Sequence, residues 1–173
     1  MSNVRLVPTS IDIVYEEVGG NTDKFEREFD QISENEENSV GQMIKHAKMR
    51  GDADESTILM LNVMAELYRK MEKIEQLLSN GASKYLQLSS EALIKHIGLE
   101  HFKLSAECLE VGTNYYGRIE IGTFPKREIA FFFEAVEPSL AKIKNIHLRD
   151  REAWEYYMMA CERAMIRQMK GLE

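Results

Sequence analysis

Thr57, Met60, Met64, Leu67, Met71, Ile74 and Leu78 recur at alternating spacings of three and four, and no other feature restricts the fold as strongly. On a helix this spacing makes one continuous seam, with Glu66, Arg69, Glu72, Lys73 and Gln76 outside it. Leu61 and Tyr68 at the e positions, with Val63 and Leu77 at g, widen the seam beyond what a two-stranded coiled coil covers. A face this broad suits three or four helices. Its roughly 22 residues extend about 33 Å at 1.5 Å per residue. That is longer than a small domain would cover, which favours self-association over packing on the protein's own sheet, the ordinary fate of an amphipathic helix.

The seam belongs to a helix that starts in the cap-rich Asp52-Ala53-Asp54-Glu55-Ser56, runs to about Ser79 and stops at Asn80-Gly81. Before it, Asn38 or Ser39 can cap a shorter helix carrying Val40, Met43, Ile44 and Ala47, stopped by Gly51, so that the two form a helical hairpin or a kinked pair. We therefore expect residues 39–81 to be a helical oligomerisation region. Ahead of it, residues 1–38 read as an acidic, partly flexible segment. Residues 16–37 hold nine acids against two bases, while the rest of the chain balances at 20 against 20, so the whole net charge of −7 sits there. Phe25, Phe29 and Ile32 are helically spaced within it, which fits either a short amphipathic helix whose aromatics dock on a partner or a solvated linker. Val4, Leu6, Ile11, Ile13 and Tyr15 partly alternate around Pro8, as an edge strand or a packed tail would.

After Gly81 the vocabulary turns to β. Tyr85–Leu88, Leu93–Ile97, Tyr115–Ile121, Glu128–Val136 and Leu140–Leu148 read as short strands between turn signals, the pattern of a small antiparallel barrel over 82–173. Alternation puts at least one ring of Phe131-Phe132-Phe133 on the outer face, where it must meet a helix, the bundle or a partner. A last helix, with Asp150 as its expected cap, carries Trp154, Met158, Cys161, Met165 and Met169 along one side. The fold class expected is α+β with a mainly β core.

The remaining composition argues against several functions. No apolar run approaches the roughly 20 residues of a bilayer span, so no membrane insertion is expected. The first residues show no cationic segment followed by an apolar core, and a cytoplasmic location is expected. An acidic chain without a basic stripe is a poor nucleic-acid partner. Cys108 and Cys161 are too few for a disulfide framework and are expected as thiols. Cys108, Cys161, His96, His101 and His147 form no recognisable nucleophile–base motif, and His96 and His101, even with Glu100 or Glu107, lack a third metal ligand fixed by spacing. Neither an enzyme, a metal nor a cofactor is expected. Arg149, Arg151, Trp154, Arg163 and Arg167 are a candidate partner-docking face, with core packing of Trp154 the competing reading.

From Tyr85 onward the sequence resembles the PilZ domain, a bacterial six-stranded barrel best known as a receptor for cyclic di-GMP. The resemblance covers about half the chain and rests on three stretches in order: Leu86-Gln87-Leu88-Ser89-Ser90-Glu91-Ala92-Leu93; Leu109-Glu110-Val111-Gly112 before the Tyr115–Ile121 strand; and Ile146-His147-Leu148-Arg149-Asp150-Arg151-Glu152-Ala153-Trp154, followed by Glu162-Arg163-Ala164-Met165-Ile166-Arg167. Ligand-binding members of that family grip phosphates and guanines with an Arg-x-x-x-Arg segment and an Asp/Asn-x-Ser-x-x-Gly turn, because guanidinium forks bind phosphate bidentately and stack on bases. In this chain only Ser89 matches the turn. Gln87 replaces the acid or amide, Ala92 replaces the permissive glycine, and Glu91 adds negative charge facing a dianion, with Ser90 between. The arginine segment is absent from residues 79–84, where Lys84 is the one cation. The resemblance, so altered, implies a degenerate member that does not bind cyclic di-GMP. The heptad helix beside the barrel resembles divergent PilZ proteins that assemble through a helical bundle, which implies a tetramer or dimer. The implied role is a non-enzymatic scaffold or adaptor for a flagellar or type IV pilus protein; the alternative is a cyclic di-GMP receptor with an atypical site.

Overall fold

The computed structural model describes residues 4–35, 46–51, 54–78, 85–121 and 127–171. Six strands, β1 (Val7–Glu17), β2 (Ser90–Ile97), β3 (His101–Leu104), β4 (Asn114–Ile121), β5 (Arg127–Ala135) and β6 (Leu140–Ile146), close into an antiparallel barrel in the order β1-β2-β3-β6-β5-β4. Three helices accompany it: α1 (Thr22–Asn35), α2 (Glu55–Leu78) and α3 (Leu148–Met169). The inward residues of all six strands make one core, with Ile13, Ile94, Phe102, Ile119, Phe131 and Phe133 among its most buried side chains.

The barrel does not begin at residue 82. β1 is neither edge nor tail: it pairs with β2 through Tyr15–Ser90 and with β4 through Ile13–Ile119, and so closes the barrel. Pro8 has no amide to donate, and its position coincides with a register shift against β2 between Pro8 and Ile11. Residues 22–35 of the acidic segment are helical, which sets aside the solvated-linker reading for them. The amphipathic reading explains why: Phe25, Phe29 and Ile32 are buried together with Tyr116, Ala130 and Phe132 on the outer face of β4 and β5. Phe25 stacks on Tyr116 at 5.0 Å between ring centroids, and Phe29 meets Phe132 edge-on at 5.3 Å. The aromatics expected to seek a partner dock on the chain's own barrel, and the outer ring of the Phe131–Phe133 run meets α1.

Three further expectations change. Tyr85–Leu88 is not a strand, because the backbone of Leu86 is satisfied by side chains: its N–H donates to Glu28 and its carbonyl accepts from Arg118 at 2.9 Å. β3 adds a strand to those expected, and at four residues it carries too little alternation to be read from the sequence. Asp150 is not the cap of α3 but lies in its first turn, buried and accepting from Arg127 at 2.6 Å, while His147 holds the cap position without a side-chain cap bond. Helix α2 matches its expected start, with Asp54 accepting from the Thr57 amide at 2.9 Å and its hydroxyl at 2.5 Å. Residues 46–50 are helical, whereas the expected cap at 38–39, the hairpin junction at 52–53 and the stop at 80–81 lie outside the described residues.

α3 closes one end of the barrel. Trp154 is 1% exposed, packs edge-on against Phe131 at 5.6 Å and donates its indole N–H to the Gly98 carbonyl at 2.8 Å. Gly98 is needed there because a Cβ would stand 2.7 Å from the Arg5 carbonyl oxygen, backbone that cannot move aside cheaply.

Candidate assembly surface

All seven seam residues of α2 are exposed: Thr57, Met60, Met64, Leu67, Met71, Ile74 and Leu78. The flanking Val63, Tyr68 and Leu77 are exposed as well, and Leu61 is half-buried. Leaving this many large apolar side chains in water is costly, at roughly 25 cal/mol per Å² of apolar surface.

The helix touches the barrel elsewhere. Arg69 reaches Glu120 of β4 at 2.9 Å and Lys73 reaches the same carboxylate at 3.2 Å, with Arg69 also bonded to Glu66 at 3.2 Å. Burial opposes the charge of Arg69, yet the two glutamates outweigh it and hold its pKa above the ordinary value. The half-buried Ile58, Asn62, Ala65 and Arg69 lie on one line of the helix with Lys73. At about 100° per residue that line is on the side of α2 opposite the seam. A bundle formed on the seam would therefore carry its barrels on the outside.

A second polar constellation, which no local sequence pattern signals, fixes α1 to the barrel. Glu28 is 4% exposed and accepts from the Arg118 guanidinium, from the Tyr116 hydroxyl at 2.8 Å and from the Leu86 amide. Arg118 also lies 3.6 Å from Glu128 and under the Tyr85 ring. Burial, then the charge of Glu28, raises the Tyr116 pKa far above its ordinary range, so the hydroxyl stays a donor. Glu28 alone shows little in the sequence, being one acid among nine; its place in line with Phe25, Phe29 and Ile32 was the available signal.

The phrase compared with the family's ligand turn is split. Gln87 and Ser89 are exposed and irregular, whereas Ser90, Glu91 and Ala92 belong to β2, with Glu91 outward and Ala92 against the core. The guanidinium that contacts this phrase, Arg118, is occupied by Glu28. The candidate docking set on α3 also divides: Trp154 is core, Arg149 and Arg151 are half-buried, and Arg163 and Arg167 are exposed. Trp154 faces inward because the indole fills the barrel end, so it is removed from any partner face. His147 stacks on Phe29 at 3.9 Å and lies 3.2 Å from its carbonyl oxygen.

Cys108 and Cys161 are free thiols, and among the described residues no group of three His, Cys, Asp or Glu could hold a metal ion. No described helix is long and apolar enough to cross a membrane. No protein-family model, curated protein or solved structure matches this chain.

Proposed function

We propose that this protein is a non-enzymatic homo-oligomer, a dimer or tetramer whose α2 helices form a central bundle that displays the barrels to other proteins. The observation that carries the reading is the exposure of the whole heptad seam on the side of α2 away from the barrel. A 3,4 repeat is self-complementary, and a second copy supplies the matching knobs and holes. Among the described residues, no other helix or strand exposes as many large apolar side chains as α2.

Within this reading the barrel is a degenerate PilZ-like module acting as scaffold or adaptor in bacterial motility, flagellar or pilus, without binding cyclic di-GMP. Two features support the loss of the ligand: the altered phrase at Gln87, Ser89, Glu91 and Ala92, and the engagement of Arg118 by Glu28, which an incoming phosphate would have to displace. Size-exclusion chromatography with light scattering tests the assembly; a 20.0 kDa monomer at tens of micromolar overturns it. Isothermal titration with cyclic di-GMP tests the second part, and micromolar binding would replace the scaffold by a nucleotide receptor.

A further inference from the structure

The barrel is electrically two-sided. On α1, Asp23, Glu26, Asp30 and Glu34 are exposed and lie within one 100° arc, with Arg27 the single base among them. The opposite arc of that helix is buried on β4 and β5. In the closed order β1-β2-β3-β6-β5-β4, the seam diametrically across from β4/β5 is β2/β3.

There the outward residues are basic. β2 presents Lys95 and His96, β3 presents His101 and Lys103, and β6 presents Lys142 and Lys144. The register brings His96 beside Lys103 and His101 beside Lys142, so the six side chains form one patch across three adjacent strands. Among the described residues acids stand at its margins: Lys144 pairs with Glu134 of β5, Lys142 lies 4.0 Å from Glu100 of the β2–β3 turn, the exposed Asp12 of β1 stands opposite Leu93 of β2, and Glu91 sits at the far end of β2. Lys95 and Lys103 make no ion pair among the described residues. Burial and then Lys142 lower the His101 pKa, with Glu100 opposing.

We propose that the β2-β3-β6 face of one copy docks the acidic face of α1 from a second copy. The complementarity is internal to the sequence, but the β2/β3 seam cannot meet α1 of its own chain because it lies across the barrel from β4 and β5; nearer to α1, Asp30 lies 3.5 Å from His147, just past β6. The contact is therefore heterologous, each copy offering a different face to each neighbour, and it closes a ring or continues as an open array. Exposed charge pairs are individually weak and salt-screened, so the contact gains from any tethering that raises local concentration. It does not require the α2 bundle, although a bundle would supply that tethering.

Zero-length carbodiimide coupling tests it on an equal mixture of 14N and 15N full-length protein, since a mixed-isotope peptide pair can arise only between copies. The expected result is coupling of Lys95, Lys103 or Lys142 to Glu26, Asp30 or Glu34 at low ionic strength. Yield should fall at least about tenfold near 1 M salt, where the screening length is about 3 Å. The surface variant Lys95→Glu/Lys103→Glu should lose the coupling, and mixing it with Asp30→Lys/Glu34→Lys should restore association. Running the same mixture on Met64→Glu/Met71→Glu separates this contact from the bundle. Coupling that persists in this variant upholds the contact independently of the bundle, and coupling in a wild-type protein that light scattering shows to be otherwise monomeric upholds the contact and rejects the bundle; an intact wild-type oligomer with no mixed-isotope coupling at these residues overturns the contact. Binding of phosphatidylglycerol vesicles or duplex DNA that is lost in Lys95→Glu/Lys103→Glu, without α1 coupling, assigns the face to another anion and also overturns it.

Discussion

Replacing Met64 and Met71 with Glu should dissolve the oligomer and leave the barrel standing. The two side chains are one heptad apart and 60% and 67% exposed in the single chain. Burying a methionine fully stabilises by about 1.5 to 3 kcal/mol, so covering the exposed part of these two contributes about 2 to 4 kcal/mol per helix. A pair of helices then loses about 4 to 8 kcal/mol, a thousandfold to a millionfold in dissociation constant at about 1.4 kcal/mol per factor of ten. Four carboxylates facing one another in the seam add further cost. Light scattering at about 10 µM should report the monomer mass. The 24-residue α2 should also lose helicity, because helices in proteins draw most of their stability from packing and are marginal without it. Trp154 provides the control: as the only tryptophan, packed between Phe102 and Phe131, its fluorescence reports the barrel without the bundle. An unchanged mass would refute the seam as an interface, and loss of the buried Trp154 signal would show that α2 holds the barrel together.

Two other outcomes follow from the polar contacts of the barrel. Glu28→Gln strips the buried Arg118 of its main counter-charge and should cost about 3 kcal/mol, the low end for a broken buried pair because Glu128 remains 3.6 Å away. Hydrogen exchange in residues 22–35 should accelerate about a hundredfold, at 1.4 kcal/mol per factor of ten. Glu28→Leu with Arg118→Met should recover most of the protection, and unchanged exchange in Glu28→Gln would refute the anchor. Glu128 carries a pKa raised above its ordinary value of 4.5, chiefly by burial, with Arg118 opposing and Glu120 adding to the rise. The folded protein thus holds this proton more tightly than the unfolded chain. Its contribution to stability is complete below pH 4.5 and is lost as pH rises through the folded value. Urea unfolding across that window should show a decline in wild type that Glu128→Gln lacks, and identical profiles would contradict the assignment.

What could be read from the sequence was what lies close together in it. The seam of α2, the strands at Tyr115–Ile121 and Glu128–Val136 and the helix after Ile146 each announce themselves within a few turns or alternations. β3 did not, because four residues carry too little alternation to stand out. Tyr85–Leu88 misled for the converse reason: its composition suits a strand, but its backbone partners are the side chains of Glu28 and Arg118. For Trp154 the sequence favours core over docking face, and the barrel end that the indole fills decides for core.

Reading along the chain is enough to establish that a long helix carries one apolar seam, that a β-rich half follows it and that the excess negative charge is confined to residues 16–37. These are properties of period and composition, set by side-chain direction along a helix or strand. That β1 closes the barrel, that α1 lies on β4 and β5, and that the acidic α1 stands across the barrel from the basic β2/β3 seam emerges with the folded chain. Those facts depend on contacts such as Tyr15 with Ser90 and Glu28 with Arg118, between residues far apart in the chain. No local pattern encodes such pairings, because closing the barrel is a collective gain shared by all six strands.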